Sequence, residues 1–303
     1  MSQLDPARKG KLGSSDVPAL FEAHPWKTAL MLYAEHTQAV GYDPEKDPDE
    51  RMAWGSRLQD DIMDAVAEET GWKILPNPLN RFVEHPDPTL RTGATIDAYC
   101  EHPEWGPGLL ESKNVDWKQW FEKGWDETAA PRQVEIQGQH QLWCTQHLWV
   151  QFPVLRGGND LIRIPGPDTP RRLQEGIGPQ LEAAIRTFWK RVDDREPPPP
   201  QGLACEIPAL MAVYDDVIRQ PPLDLRDDAE FAELLDDLEF ARTRRLELEK
   251  LEQAAKVSIL GKLGRYAEAR AANAIVKVSK AIMPAHQRKE SVQTRLNVRF
   301  FTP

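Results

Sequence analysis

Apolar residues recur along this chain with two spacings, one of about 3.6 residues and one of about 2, and the changes between them sort it into helices and strands. Residues 15–38 read as a helix capped by Ser15 or Asp16, with apolar positions at Val17, Leu20, Phe21, Leu30 and Tyr33 and a break near Pro25. A second helix is predicted over 50–70, where Leu58, Ile62, Ala65 and Val66 keep helical spacing and Gly71 supplies the stop. Short strands follow at about 72–76, 81–84, 92–100 and 108–115, separated by proline-rich turns. A Trp-rich segment from Trp117 to Trp125 leads into a helix over QVEIQGQHQLWCT, then strands at 147–155 and 161–164 and a helix at about 170–192. Helices and strands interleave, so the fold class is α/β (α+β mixed). The proline run from Pro197 to Pro200 closes this body.

Beyond the prolines the pattern changes. Residues 203–219 read as a short helix, and Pro221–Pro222 precede a long helical pattern at 228–256. There Phe231, Leu234, Leu238, Ala241, Leu248 and Ala255 approximate a heptad seam that Arg245 and Glu252 interrupt, which favours a long helix in a hairpin over a free coiled coil. The final SVQTRLNVRFF alternates like a strand. The expected division is a core at 1–196, a proline-rich linker with a short helix at 197–228, and a basic, mainly helical appendage at 229–303.

At 303 residues and 40% hydrophobic content the chain can bury a full core. MSQLDPARKGK has no apolar run, and nothing approaches the roughly 18 apolar residues that span a bilayer, so a cytoplasmic location and no membrane partner are expected. Cys100, Cys144 and Cys205 are far apart and odd in number, which supports neither a disulfide framework nor a CxxC metal site, and buried free thiols are expected. The net charge of −10 conceals an asymmetry. Residues 241–303 carry 14 Lys and Arg against 5 Asp and Glu, leaving 24 against 43 in 1–240. Phosphate contacts depend on local charge, so an acidic body with a basic end is compatible with DNA, and equally with a solvated helix that has no partner.

Candidate chemistry concentrates in TGATIDAYCEHPEWGPGLLESKNV. Pro103, Gly106, Pro107 and Gly108 mark a turn. If they close an antiparallel hairpin centred near residue 104, Asp97 lies opposite Glu111, and Lys113 shares a face with Glu111. Two opposed carboxylates repel, and a hard divalent cation held between their oxygens removes that repulsion. The same three residue types also occur on the solvent face of ordinary hairpins.

Four separated segments resemble one family, the lambda exonuclease and YqaJ-type viral recombinase branch of the PD-(D/E)xK nucleases, over about residues 8–155. ARKGKLGSSD offers Arg8 and Ser15 at the family's spacing, for which the resemblance implies a grip on a 5′-phosphate. A serine at a helix N-terminus is physically suited to an anion. MAWGSRLQDD resembles the helix in which a metal-facing glutamate follows a glycine by four residues, and here that position is Gln59, which cannot supply the charge. The hairpin supplies the matched catalytic set of Asp97, Glu111 and Lys113, with Asp97, Glu111 and the Ser112 backbone carbonyl as implied metal ligands. IQGQHQLWCT resembles the QxQ helix and puts Gln137 near the scissile phosphate, in line with Gln133 and Gln141, while Val134 replaces the family's tyrosine.

The resemblance implies a restriction-endonuclease-like core, a mixed central sheet flanked by helices. It further implies Mg²⁺, with Mn²⁺ as a substitute and one or two ions, and digestion of double-stranded DNA ends from a 5′-phosphate to leave 3′ overhangs. A single-strand annealing recombinase as partner and a ring-shaped homo-oligomer also follow from it. The alternatives are an endonuclease of the same superfamily and a non-catalytic DNA-binding module.

Overall fold

The computed structural model describes residues 5–39, 50–77, 80–214, 223–272, 274–283 and 291–300, in two units, Met1–Arg219 and Gln220–Pro303. The first unit opens with 3-10 turns at Pro6–Arg8 and Val17–Phe21, followed by α1 (Ala29–Thr37) and α2 (Glu50–Thr70). Strands β1 (Lys73–Pro76), β2 (Phe82–Glu84), β3 (Gly93–Thr95), β4 (Ala98–His102), β5 (Gly106–Leu110) and β6 (Lys113–Val115) come next. Then follow α3 (Trp117–Glu122), α4 (Arg132–Thr145), β7 (Trp149–Arg156), β8 (Asp160–Ile164), β9 (Arg171–Arg172), α5 (Ile177–Asp194) and α6 (Ile207–Val213). The expected helix over 15–38 is two pieces. Glu22 stands in the left-handed region (φ 53°) after the first, and the Thr28 hydroxyl caps α1 by accepting from the Met31 N–H at 3.3 Å. The expected helix at 170–192 starts late, because Arg171 and Arg172 pair with β7 and Gly176 takes a left-handed turn (φ 75°) before Ile177.

The central sheet is mixed. Its path runs β1-β4-β5-β7-β6, with β8 and β9 on the other side of β7. β4 and β5 form the hairpin, antiparallel, with Ala98 opposite Leu110 and His102 opposite Gly106. β5 and β6 both run parallel to β7, Leu110 beside Gln151 and Lys113 beside Val154. The offset to β7 is the same for both, so they are one strand opened at Glu111 and Ser112 with no residue gained or lost. The Glu111 N–H keeps the ladder by donating to the Gln151 carbonyl at 3.1 Å.

Period-2 alternation assigns the two faces. Leu109 packs with Val134, Leu142, Val150 and Phe152 under α4, and Leu110 packs with Met63 and Val66 of α2, together with Ala98, Cys100 and Trp149. A third cluster joins Leu12, Val17 and Leu32 to Leu181, Ile185 and Phe188 of α5. Helix α6 packs on α1 through Ala209, Leu30 and Ala34. Gly138 sets the height of α4 over the sheet, since a Cβ there would stand 2.7 Å from the Phe152 ring.

In the second unit, α7 (Ala229–Leu263) starts on Asp228, whose carboxylate accepts from the Phe231 N–H at 2.9 Å. Strands β10 (Glu268–Arg270), β11 (Ala274–Met283) and β12 (Ser291–Phe300) form an antiparallel sheet, the last of them predicted by its alternation. The hairpin expected for the long helix is absent, since among the described residues of this unit no second helix packs along α7. All three cysteines are free, Cys100 and Cys144 buried as expected but Cys205 exposed in the turn that precedes α6. Among the described residues no helix is long and apolar enough to cross a membrane.

Candidate active site

The hairpin register carries straight into the opening between strands. Continued by one pair beyond Ala98 and Leu110, it sets Asp97 opposite Glu111. The hairpin centre near residue 104 is the one its turn residues predicted. Asp97 is not within a strand, however. It stands between β3 and β4, and its carboxylate turns across to Ser112, whose N–H and hydroxyl both donate to Oδ2, at 2.8 and 2.9 Å. Removal from water and the facing Glu111 charge push the Asp97 carboxyl up to about 7, against the pull of Lys113 and Ser112.

Glu111 is buried and fully dressed. Lys113 Nζ and Gln137 Nε2 both donate to its Oε1 at 2.6 Å, and Gln141 Nε2 donates to its Oε2 at 2.6 Å. Burial alone would lower the Lys113 pKa, but the Glu111 and Asp97 charges outweigh it and raise it, so Lys113 is a cation at any working pH. Lys113 Nζ also reaches Gln137 Oε1 at 3.3 Å. Gln141 Oε1 is buried and accepts no hydrogen bond among the described residues. Gln137 and Gln141, one turn apart on α4, therefore meet one carboxylate, as residues four apart on a helix can.

The N-terminal residues form a second cluster. Arg8 Nη2 donates to Asp16 Oδ2 at 3.1 Å and to the Ser15 hydroxyl at 3.3 Å. Gly13 makes room, since a Cβ there would lie 2.8 Å from that nitrogen. Lys27 bridges Asp16 (3.2 Å) and Glu35 (3.1 Å). Burial pushes the Asp16 carboxyl up, but the Lys27 and Arg8 charges and the Gly13 N–H more than offset it and hold it below its ordinary value. Ser15 itself is exposed.

A cavity of about 220 Å³ connects the two clusters, lined among others by Ser15, Trp26, Lys113, Lys123, Gln133 and Gln137. Arg8, Asp97, Glu111 and Ser112 are not in its lining. Gln59 lies on α2, one turn before Met63 on the face toward the sheet, and makes no hydrogen bond to Asp97 or Glu111. Among the described residues no third His, Cys, Asp or Glu joins those two to complete a metal-holding cluster.

His140, which sequence reasoning did not single out, ties the clusters together. It is fully buried, and burial pushes its pKa down to about 3, so the ring is neutral and one nitrogen donates while the other accepts. The Thr92 hydroxyl donates to the Leu12 carbonyl at 3.0 Å, so its oxygen accepts from His140 Nε2 at 3.0 Å. Nδ1 then accepts from the Ser14 hydroxyl at 2.8 Å. The loop before Ser15 is thus anchored to α4, three residues from Gln137. Its position in IQGQHQ was the available signal. A lone histidine in a helix is weak evidence without knowing which loop packs there.

No curated protein matches the chain. Among solved structures it is similar to the crystal structure of an alkaline exonuclease (LHK-Exo) from Laribacter hongkongensis, at 19% identity over 63% of this chain and 91% of that one, with a TM-score of 0.49. The structure of LHK-Exo in complex with dAMP matches over the same shares at 18% identity and a TM-score of 0.47. Residues 5–147 match the model of one family. That span begins at the turn holding Arg8 and ends just past α4, so it contains both clusters, the cavity and His140. The family whose model these residues match is the YqaJ-like viral recombinase domain.

Proposed function

We propose that the chain is a Mg²⁺-dependent exonuclease of the PD-(D/E)xK type, which degrades linear double-stranded DNA 5′ to 3′ from a 5′-phosphorylated end and leaves 3′ overhangs for phage-type recombination. The observation that carries this reading is the cavity that joins Ser15 to Lys113 and Gln137 within the residues that match the YqaJ-like viral recombinase domain.

The donor set suits a hard cation. Two carboxylates face each other, one of them reluctant to ionise without a counter-charge. Both hydrogen bonds that the Asp97 carboxylate accepts end on Oδ2, which leaves Oδ1, and the unpartnered Gln141 Oε1 nearby would be satisfied by a water of a hydrated ion. Asp97, Glu111 and the Ser112 carbonyl would hold Mg²⁺, which neutralises phosphate charge and lowers the pKa of bound water. Gln59 adds no charge, so the reading has one firmly held ion.

The rest is done by the chain's own groups. Lys113, a cation fixed by Glu111, stabilises charge that develops on the scissile phosphate. Gln137 and Gln141 hold Glu111 in one orientation. Arg8 and Ser15 grip the terminal phosphate, and Lys123 and Gln133 line the path between. Gripping the 5′ end at one side of the cavity and cutting at the other gives the polarity.

The test is digestion of linear duplex with Mg²⁺ by the full chain. Asp97→Ala and Lys113→Ala each abolish it, and a 5′-hydroxyl end is cut more slowly than a 5′-phosphate. Undiminished digestion by both variants overturns the site, and equal rates at the two ends remove the role of Arg8 and Ser15. Cutting of covalently closed circles would make the enzyme an endonuclease.

A further inference from the structure

Helix α7 is 35 residues long, and among the described residues of its own unit no element packs along its apolar seam. Phe231, Leu234, Leu238 and Leu248 are all exposed, and so are Ala241 and Ala255 between them. Helices in water gain most of their stability from packing an apolar face, and an uncovered face of this length marks an interaction surface. The polar members of the seam say what covers it. Arg245 and Glu252 occupy successive equivalent positions of the heptad, and their partners along the helix, Glu249 and Lys256, are exposed i,i+4 contacts of little energy.

We propose that α7 pairs antiparallel with α7 of a second copy of this chain. With the two helices flush, Leu234 faces the partner's Ile259, Leu238 faces the partner's Ala255, Ala241 faces the partner's Glu252, and Arg245 faces the partner's Leu248. Arg245 then lies one layer, about 6 Å along the axis, from the partner's Glu252, within reach of both long side chains. The two-fold axis repeats the pair. The charges that break the seam in one helix are matched across two. A parallel pair would set Arg245 against the partner's Arg245 and Glu252 against the partner's Glu252 instead.

The charge along the helix favours the same direction. Residues 229–239 carry five acidic side chains and no basic one, whereas 253–263 carry Lys256 and Lys262 and no acidic one. Antiparallel overlap lays each acidic end on a basic end. Parallel overlap lays five acids on five.

Disulfide trapping of the full-length protein tests direction and register, in a Cys205→Ser background because the other two cysteines are buried. Leu234→Cys with Ile259→Cys is expected to give a disulfide-linked dimer under mild oxidation, whereas either substitution alone gives none. The two positions of one helix are about 37 Å apart and cannot bridge within a chain. Dimers from Leu234→Cys alone, or none from the pair, overturn the proposal. A second measurement does not need the cysteines to be tolerated. Arg245→Glu and Glu252→Arg each weaken self-association measured by sedimentation by about tenfold or more, and the two reversals together restore it. Equal association in all four proteins also overturns it.

Discussion

Substituting Gly138 by alanine tests how the fold seats the candidate site. A Cβ at Gly138 would stand 2.7 Å from Phe152 Cζ, 3.0 Å from its Cε1 and 3.1 Å from Val150 Cγ1. Carbon atoms pack best at about 3.5–4.0 Å, so the methyl intrudes by roughly 0.8 Å or more. Phe152 is fully buried and has no free side to retreat to, which leaves α4 to lift from the sheet or the ring to leave its rotamer. Overpacking of this kind costs about 1–3 kcal/mol, and for a unit of this size each kcal/mol lowers the melting temperature by about 2–4 °C. The lift matters more for the site than for stability. Gln137 and Gln141 flank Gly138 on α4, and their amides sit 2.6 Å from Glu111. A retreat of about 1 Å takes both to the limit of a hydrogen bond, and displacement on that scale can cost about a hundredfold in rate. The assay is thermal melting by circular dichroism together with Mg²⁺-dependent digestion well below the transition. Gly55→Ala on α2 is the control, since no atom lies within 4 Å of a Cβ there, and it should stabilise by about 0.5–1 kcal/mol. Gly138→Ala that melts and digests like the parent would refute the claim that close approach of α4 to β7 orients the glutamines.

Two further outcomes follow from the charges. Asp97 has a folded-state pKa of about 7, above its ordinary 3.8, so the folded protein holds that proton where the unfolded chain has lost it. The associated stability is full below about 4 and gone above about 7. The metal-free protein should melt lower at pH 8 than at pH 5, Asp97→Asn should flatten this difference, and Mg²⁺ affinity by calorimetry should rise about tenfold per pH unit until it levels near 7. A pH-independent affinity would contradict the assignment. His140→Ala leaves Ser14 and Thr92 without their partner, at a cost of about 1–3 kcal/mol, and should erase the preference for 5′-phosphate over 5′-hydroxyl ends while the Mg²⁺-induced melting shift persists. Loss of the melting shift with the end preference retained would place His140 elsewhere in the scheme.

The hairpin and the glutamine helix were legible because both rest on local rules. Pro103, Gly106, Pro107 and Gly108 fix the turn, alternation fixes which side chains share a face, and i,i+4 spacing aligns Gln137 with Gln141. What the sequence concealed depends on contacts between distant segments. Nothing local shows that the strand predicted over 108–115 opens at Glu111 and Ser112 while keeping its offset to β7, or that Asp97 leaves the strand predicted over 92–100. The packing of residues 12–16 against His140 joins positions 126 residues apart, and Lys27 became visible as a partner of Asp16 only once the chain had folded back. The long helix was legible in its period. Its hairpin was not there because the chain turns into strands after Gly264.

The cluster around Asp16 has a consequence for ionic strength. Arg8 and Lys27 bring two positive charges, Asp16 and Glu35 two negative ones, so an anion arriving at Ser15 meets a neutral quartet and not a cationic well. If Ser15 takes the terminal phosphate as proposed, it selects by hydrogen-bond geometry and releases few counterions when filled. Recognition of the strand terminus should then be nearly indifferent to salt, even where the hold on the rest of the duplex weakens steeply, and the ratio of rates at phosphorylated and unphosphorylated ends should stay constant as salt slows both.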